Sequence, residues 1–200
     1  MKEVFKRLMV DFMQRDIKGI MPREYEIPLE SKKIISLIGV RRSGKSSLLL
    51  DIIKKLRQKI SRENIIYVNF EDDRLYPLKL EHLDLLLEGY FELFPKKVDE
   101  KIYLFLDEVQ VVDGWERYVR RVYDNLDIAI YITGSSSKLL SSEIATSLRG
   151  RSITYEIFPF SFREYLKYKQ IDINLYSTKS LSFIKNSLQS YLIDLSLIHI

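Results

Sequence analysis

Five short apolar runs, separated by longer segments of helical periodicity, limit the fold of this chain more than any other feature. The runs are rich in β-branched and aromatic residues, as strands are, and they span residues 34–38, 64–70, 102–106, 127–133 and 153–158. Between them, apolar residues recur at helical spacing over residues 46–60, about 79–94 and about 114–126. Apolar strands that alternate with helices predict a parallel sheet covered on both faces. We therefore expect a three-layer α/β domain with a five-stranded parallel sheet.

The two ends of the chain differ from this alternating core. Residues 1–18 carry apolar side chains at helical spacing and predict an amphipathic helix, after which Gly19 and Pro22 open an irregular connector. Beyond the last apolar run, Ser161 and Glu164 have the spacing of a capping box that begins a helix. We therefore expect an N-terminal helix with its connector, a complete α/β core and the truncated start of a helical lid or C-terminal region, over residues 1–30, 31–160 and 161–200.

The composition excludes several kinds of site. The 200 residues include no cysteine and two histidines, His82 and His199, so we expect no disulfide, thiolate metal site or histidine-based metal site or triad. The net charge of +4 is compatible with a nucleic-acid partner but does not indicate one. The N-terminus lacks the apolar core of a signal peptide, and no apolar run approaches the roughly 18 residues of a membrane span. We therefore expect a cytoplasmic protein without a membrane partner.

A glycine-containing loop joins the first apolar run to the next helical segment. Residues 39–46, GVRRSGKS, match the pattern G-x-x-x-x-G-K-[ST] at every specified position. Gly39 and Gly44 allow the tight turn that gathers backbone N–H groups around phosphate oxygens, and the helix that follows directs its positive dipole end to the same place. Lys45 supplies a positive charge to the β and γ phosphates, and the Ser46 hydroxyl is a ligand for Mg²⁺. The loop therefore predicts a site for ATP and Mg²⁺.

The other positions of the loop complete the expected nucleotide-binding set, which adds Val40, Arg41, Arg42, Ser43 and Ser47. Arg41 and Arg42 occupy variable positions of the pattern. Two interpretations of these arginines stay open: they are solvated, or they contact a neighbouring subunit or a nucleic-acid backbone. The connector over residues 19–30, which includes Tyr25, is expected by its position to form a wall of the base pocket.

Two adjacent carboxylates end the third apolar run, in the sequence IYLFLDEVQ. The carboxyl ends of strands line the ligand crevice of a parallel α/β sheet, so Asp107 is expected to face the Mg²⁺ near Ser46. Glu108 is suited to accept a proton from the water that attacks the γ-phosphate, or to orient that water. Alone, such a pair is equally typical of a solvated strand end, but the upstream phosphate loop favours the catalytic interpretation. Gln110 either extends this network or lies at the surface.

The fourth apolar run ends in TGSSS, residues 133–137. A polar side chain at this strand end would lie between the acidic pair and the γ-phosphate, where it could sense or position the water. Thr133 and Ser135 are the candidates for this sensor role. The alternative is that these hydroxyls cap the helix of the segment after residue 136.

The sequence SLRGRSI precedes the fifth apolar run and places Arg149 and Arg151 on either side of a glycine. An arginine inserted into the site of a neighbouring subunit would stabilise the charge that develops on the transferred phosphoryl group. One of the two is therefore a candidate arginine finger, which would require a homo-oligomer. The alternative is a pair of solvated arginines before a strand.

These motifs together resemble a known family. GVRRSGKSS, LFLDEVQ, ITGSSSKLL and LRGRSITYEIFPFSFREYL occur in the order and spacing of archaeal and bacterial ATPases of the AAA superfamily, in the group whose AAA core precedes a poorly characterised C-terminal domain. The resemblance covers about residues 20–170. It implies an AAA-type P-loop ATPase core with the loop of Lys45 and Ser46, the pair Asp107 and Glu108, a sensor around residues 133–136, and a finger at Arg149 or Arg151. It also implies a longer protein, whereas the final residues, IDLSLIHI, depart from the family pattern.

The sequence leaves more than one function open. Because Glu108 directly follows Asp107, the leading hypothesis is a Mg²⁺-dependent ATPase that couples hydrolysis to conformational change. The first alternative is an ATP-gated switch or interaction module with little turnover. A phosphotransferase is disfavoured, because no basic mobile lid is visible and the acid pair favours water as the acceptor. An association with DNA rests on analogy with related ATPases.

Overall fold

The strands and helices of the computed structural model, which describes residues 1–135, 146–171 and 178–199, alternate as the sequence predicts. The strands are β1 (Ile34–Gly39), β2 (Ile65–Asn69), β3 (Ile102–Asp107), β4 (Ile128–Ser135) and β5 (Ser152–Glu156). The α-helices are α1 (Lys2–Gln14), α2 (Lys45–Leu56), α3 (Asp84–Leu93), α4 (Trp115–Asn125), α5 (Phe162–Tyr168) and α6 (Thr178–His199).

The strands form one parallel sheet in the order β2-β3-β4-β1-β5. This confirms the predicted α/β class and the five-stranded parallel sheet. Because parallel strands end at the same edge, the last residues of neighbouring strands lie side by side: Gly39 of β1 pairs with Ser135 of β4, and Asn69 of β2 pairs with Asp107 of β3. The phosphate loop after β1 and the polar residues that end β3 and β4 therefore meet at the carboxyl edge of the sheet.

Two hydrophobic layers hold helices on the two faces of the sheet. Side chains such as Ile38 and Leu104 lie in the layer that also contains the buried apolar residues of α3, of α4 and, apart from Phe12, of α1. Leu37 and Phe105, one position along the same strands, lie in the opposite layer with the buried residues of α2. The alternation follows from the two-residue period of a strand, which directs neighbouring side chains to opposite faces. The result is the predicted three-layer architecture.

The first two helices end before the predicted boundaries. Helix α1 ends at Gln14 instead of residue 18, and α2 ends at Leu56 instead of residue 60. The two ends meet, because the Arg57 side chain donates hydrogen bonds to the carbonyl oxygens of Phe12 and Arg15 at 2.8 and 2.7 Å. These bonds add side-chain donors to carbonyls at the end of α1, where backbone donors are few, and periodicity does not reveal them.

Two helices are described in the segment after β5. The predicted capping box is confirmed at the start of α5, where Ser161 Oγ accepts from the Glu164 N–H at 3.2 Å and Glu164 Oε2 accepts from the Ser161 N–H at 2.8 Å. Helix α6 follows and exposes large apolar side chains, among them Phe183 and Leu192. Within the described ranges, none of the helices combines the length and the apolar character that a bilayer span would need.

Gly39, at the end of β1, has a different role from the one predicted. Its φ is not among the positive values of the chain, so the turn itself does not require glycine here. A Cβ at this position would instead overlap the carbonyl oxygen of Ile157 and lie 2.7 Å from Ser43 Oγ. The backbone of Ile157 is held against β1 by a hydrogen bond from its N–H to the Ile38 carbonyl oxygen at 2.6 Å. Gly39 therefore permits the close approach of the segment that follows β5.

We predict that Gly39→Ala lowers the free energy of unfolding by roughly 1–3 kcal/mol, because the added methyl group forces a packed backbone apart. Ser36→Ala in the same strand is the matched control. The Ser36 hydroxyl is fully buried without a hydrogen-bond partner in the described part of the chain, so its removal should be neutral or stabilising. Denaturant unfolding measures both variants. Equal stability of Gly39→Ala and the parent would contradict the steric explanation.

Candidate functional site

The phosphate loop lies between the end of β1 and the start of α2, at the carboxyl edge of the sheet. Gly44 adopts a left-handed conformation with φ 93° and directly precedes the helix, while Arg42 also has a positive φ of 64°. The Ser43 N–H donates to the Val40 carbonyl oxygen at 3.2 Å, which closes the turn. Ser43 is buried, and its Oγ has no hydrogen-bond partner in the described part of the chain. The loop thus forms a tight turn directly before the N-terminus of α2, which is the position where backbone N–H groups can hold phosphate oxygens.

Lys45 extends back across this loop. Its side chain is buried, and its Nζ donates to the carbonyl oxygens of Gly39 and Val40, both at 3.2 Å. The same Nζ lies 3.8 Å from Glu108 Oε1. The ammonium group and the second acid of the pair therefore face a common space in front of the loop. Of the other loop positions, Val40, Arg41 and Arg42 are exposed and Ser47 lines a cavity beside the loop.

Asp107, the last residue of β3, is completely buried. Three hydroxyl groups donate to its carboxylate: Ser46 to Oδ1 at 3.1 Å, Tyr67 to Oδ2 at 2.9 Å, and Thr133 to Oδ1. Burial raises the pKa of Asp107 above its ordinary value, and the hydrogen bonds from Thr133, Ser46 and Tyr67 oppose that rise. The hydrogen bond between Ser46 and Asp107 places two hard oxygen atoms side by side, Ser46 Oγ and Asp107 Oδ1.

These oxygen atoms fit Mg²⁺. The residues that the structure describes include no cluster of three or more histidine, cysteine or acidic side chains, so a cage made of protein ligands alone is not found there. Mg²⁺ characteristically binds through one or two protein oxygens together with water and substrate phosphates. Asp107 and Ser46 can supply the protein's part of such a shell.

Glu108 begins the connection after β3 in a left-handed conformation, with φ 55° and ψ 50°. Such a conformation is uncommon for a residue with a side chain. Two contacts hold it: the Glu108 N–H donates to Thr133 Oγ1 at 2.9 Å, and Gln110 Nε2 donates to Glu108 Oε2 at 2.5 Å. The backbone turn directs the carboxylate towards Lys45. Of the two interpretations that the sequence allows for Gln110, the structure therefore supports the one in which Gln110 extends the network of the acidic pair.

Thr133 lies between the two acids. It donates to Asp107 and accepts from the backbone of Glu108, so one hydroxyl holds both members of the pair. Ser135 ends β4 two residues later, beside Gly39 of the phosphate loop. Both sensor candidates are therefore at the carboxyl edge. Residues 136–145, to which the helix-capping alternative refers, lie outside the described residues.

The two candidate finger arginines lie elsewhere. The Arg151 carbonyl oxygen accepts from the N–H of Ile34, the first residue of β1, so these arginines lie at the amino edge of the sheet. The length of β1, roughly 16 Å, separates that edge from the phosphate loop of the same chain. The Arg151 side chain donates to both carboxylate oxygens of Asp124, at 2.8 and 3.0 Å, and Arg149 is exposed with a φ of 51°. The structure does not bring either arginine to the site of its own chain.

Two residues at this site, Tyr67 and Arg23, were not predicted from the sequence. Tyr67 of β2 stacks on Phe12 of α1, with ring centroids 4.3 Å apart, and donates its hydroxyl to Asp107. Burial and the Asp107 charge raise the pKa of Tyr67 well above its ordinary value, which keeps the phenol protonated as a donor. Arg23 of the connector donates to the Ser43 carbonyl oxygen of the phosphate loop at 2.8 Å. No short motif contains these contacts, because the partners are distant in sequence.

A cavity of about 450 Å³ opens beside the phosphate loop. Its lining comes from the connector, the loop and the segment after β5, and consists of Lys18, Gly19, Ile20, Met21, Arg23, Arg42, Ser43, Gly44, Ser47, Pro159 and Phe160. The volume lies in the range of small-molecule sites. Tyr25, which the sequence suggested as a wall, is not in this lining, because its hydroxyl accepts from the Phe158 N–H at 2.9 Å.

The fold and this loop define a P-loop nucleotide-binding domain of the AAA superfamily. A family model described as an AAA domain matches residues 31–166, and the chain belongs to that family. An uncharacterized protein of Methanocaldococcus jannaschii is 42% identical over 179 residues, which are 88% of this chain and 38% of that protein. An uncharacterized protein of Haemophilus influenzae is 42% identical over 142 residues, which are 70% of this chain and 34% of that protein. The chain thus spans little more than a third of the length of these relatives.

Solved structures give weaker likenesses. Cdc6p from Pyrobaculum aerophilum has a TM-score of 0.45 and 13% identity, over 68% of this chain and 42% of that one. AMPPCP-bound DnaA from Aquifex aeolicus has a TM-score of 0.44 and 15% identity, over 99% of this chain and 59% of that one. Likenesses at this level do not bear on function.

We predict that Tyr67→Phe raises the Mg²⁺ concentration needed for half-maximal nucleotide binding by about tenfold, because the Asp107 carboxylate loses one of its hydroxyl donors. Tyr131→Phe is the matched control, since Tyr131 is also a buried strand residue but donates to the Pro28 carbonyl oxygen at 3.0 Å. A Mg²⁺ titration of nucleotide binding compares the two. The same Mg²⁺ requirement in both variants would show that Tyr67 does not position Asp107.

Proposed function

We propose that this chain binds ATP with Mg²⁺ and hydrolyses it to ADP and phosphate, and that hydrolysis is coupled to a conformational change. The observation that carries this proposal is the convergence of Lys45 and Glu108, 3.8 Å apart, in front of the phosphate loop. Asp107 and Ser46 lie directly beside them. A phosphate-binding lysine, a metal-binding carboxylate and a second carboxylate suited to hold water are the groups that phosphoanhydride hydrolysis requires.

Binding of the triphosphate is assigned to the loop and the start of α2. The backbone N–H groups of the loop and the N-terminal end of the helix attract phosphate oxygens, and Lys45 adds a point charge at the β and γ phosphates. Mg²⁺, held by Asp107 and Ser46, would supply charge neutralisation at the phosphate oxygens. The cavity beside the loop is the proposed position of the nucleoside, since it opens between the connector and the loop residues.

Glu108 is assigned the role of holding the attacking water and accepting its proton. Its carboxylate already has one fixed donor, Gln110, which leaves the oxygen nearer Lys45 directed towards the site. The Thr133 hydroxyl bonds both the Glu108 backbone and the Asp107 carboxylate, so a displacement of one acidic residue would also displace the other. In this proposal Thr133 links metal binding to water activation, and Ser135 senses the phosphate end of the nucleotide from the neighbouring strand end.

We predict that Glu108→Gln retains ATP binding and loses at least about 100-fold in kcat, because the amide cannot accept the water proton. Lys45→Ala is the complementary variant and should lose binding itself. Equilibrium binding of ATP and steady-state phosphate release measure the two properties separately. Unchanged hydrolysis in Glu108→Gln would remove Glu108 from the mechanism. Release of one phosphate per chain by the parent, followed by arrest, would favour the ATP-gated switch instead.

Hydrolysis is further proposed to require a second copy of the chain. Because the arginines before β5 lie at the amino edge, they can serve only the phosphate site of another copy. Arg149 is the better candidate for the finger, since the Arg151 guanidinium is paired with Asp124 at 2.8 and 3.0 Å. A nucleic-acid partner and the domain boundaries at residues 30 and 160 stay predictions. The net charge of +4 is compatible with the former but does not indicate it.

We predict that the hydrolysis rate per chain rises with protein concentration and that Arg149→Ala lowers the rate at high concentration by about 1000-fold, as loss of a phosphate-contacting arginine does. Arg151→Ala and Asp124→Ala are the matched controls, because each breaks only the surface pair, and both should have small and equal effects. A rate that is independent of protein concentration and of Arg149 would rule out the finger.

A further inference from the structure

A buried ion pair joins the connector to α5. Arg23 Nε donates to Glu164 Oε1 at 2.8 Å, and the two side chains are only 6% and 5% exposed. The N–H groups of Glu24 and Ser161 also donate to the Glu164 carboxylate, at 2.9 and 2.8 Å. Burial opposes ionisation of Glu164, but the Arg23 side chain and these backbone donors outweigh it and hold the pKa of Glu164 at about 2. The Glu164 carboxylate is therefore charged and accepts hydrogen bonds on both of its oxygens.

The same arginine contacts the phosphate loop. Arg23 Nη1 donates to the Ser43 carbonyl oxygen at 2.8 Å, and Nη2 donates to the Phe158 carbonyl oxygen at 2.9 Å. A Cβ on Gly44 would lie 2.7 Å from Nη1, so the guanidinium occupies the space beside that glycine. All three guanidinium nitrogens thus have protein acceptors. Arg23 is placed to act on the nucleotide through the loop, and not as a direct phosphate ligand.

The contact with Ser43 fixes the direction of a loop N–H group. The peptide between Ser43 and Gly44 is planar and trans, so its carbonyl oxygen and its N–H point in opposite directions. With the carbonyl oxygen held by Arg23, the Gly44 N–H points away from Arg23. Gly44, on one side of this peptide, and Arg42, one residue before Ser43, are both left-handed, so the backbone here depends on its neighbours to stay in place. Loss of the Arg23 contact would free the peptide to rotate.

We propose that Arg23, held by Glu164, is a positioning residue of the phosphate loop, so that undocking of α5 from the connector weakens nucleotide binding. This inference rests on the nucleotide binding of the proposed function. It assigns a role to the capping-box glutamate of the SFREYL motif beyond helix initiation. By linkage, nucleotide binding must also strengthen the docking of α5.

Two variants and one matched control test the role of Arg23. Arg23→Lys keeps the positive charge but cannot reach three acceptors with one ammonium group, and Glu164→Gln keeps the shape of the side chain without its charge. Lys167→Gln is the control, because Lys167 pairs with Glu24 at the surface and also joins α5 to the connector, but does not contact the loop. Binding of a non-hydrolysable ATP analogue with Mg²⁺ is measured at 25 °C, with circular dichroism to confirm folding.

We expect Arg23→Lys and Glu164→Gln to raise the Kd of the analogue by about tenfold, as loss of a charge-assisted hydrogen bond would. Lys167→Gln should leave the Kd unchanged. An unchanged Kd in folded Arg23→Lys and Glu164→Gln would overturn the inference. No binding by the parent chain would instead overturn the proposed function, which separates the two failures.

A measurement on the parent chain covers the case in which both variants fail to fold. Amide hydrogen exchange is compared with and without the analogue in α5 and in α4, which contributes no residue to the loop. We expect slower exchange across residues 162–168 when the analogue is bound, and no change across residues 115–125. Equal exchange in α5 with and without bound analogue would show that loop and helix are not coupled, and would overturn the inference.

Discussion

The burial of the Asp107 carboxylate is the constraint on which the rest of the site depends. A charged group without solvent needs hydrogen-bond donors on its oxygens, and here they come from three separate elements: Ser46 of α2, Tyr67 of β2 and Thr133 of β4. The strand order β2-β3-β4 places one of these donors on each side of β3, Tyr67 in β2 and Thr133 in β4. The phosphate-loop helix supplies the third. The sheet topology therefore determines whether the Asp107 carboxylate can be buried, because a different neighbour for β3 would leave the carboxylate without these donors.

How much of this arrangement the sequence could predict differs from residue to residue. The parallel sheet was predicted correctly, because it depends on local patterns of apolar strands and helices. The phosphate loop and the pair Asp107 and Glu108 lie at one edge of this sheet, as parallel strands require, and their roles stay predictions. Tyr67 and Arg23 were not predicted, because their partners lie 40 and 141 positions away and no local pattern marks such pairs. Gly39 was predicted to allow a tight turn, but the structure shows that it permits a close approach of two backbones instead. The backbone of Ile157, which directly follows β5, decides that role by its contact with Gly39.

The conformation of Glu108 shows how the site holds a residue that the chain alone would not favour. A left-handed non-glycine residue costs roughly 1–3 kcal/mol and persists only where its surroundings determine it. Thr133 accepts from its N–H and Gln110 donates to its carboxylate, so both ends of the residue are fixed. The same turn brings the carboxylate within 3.8 Å of Lys45. Local strain and the proximity of the two charged groups therefore have one cause, the sharp exit of the chain from β3.

The segment after β5 is joined to the phosphate loop directly at Gly39 and indirectly through Arg23. At Ile157 its backbone packs directly on Gly39, the first residue of the loop, where no side chain fits. One residue later, the Phe158 carbonyl oxygen accepts from Arg23, which also holds the Ser43 carbonyl oxygen near the other end of the loop. Both ends of the loop are thus fixed to one short stretch of chain, and Glu164 fixes that stretch to the connector. A displacement of this segment cannot leave the loop unchanged, because the steric contact and the hydrogen bonds would have to change together.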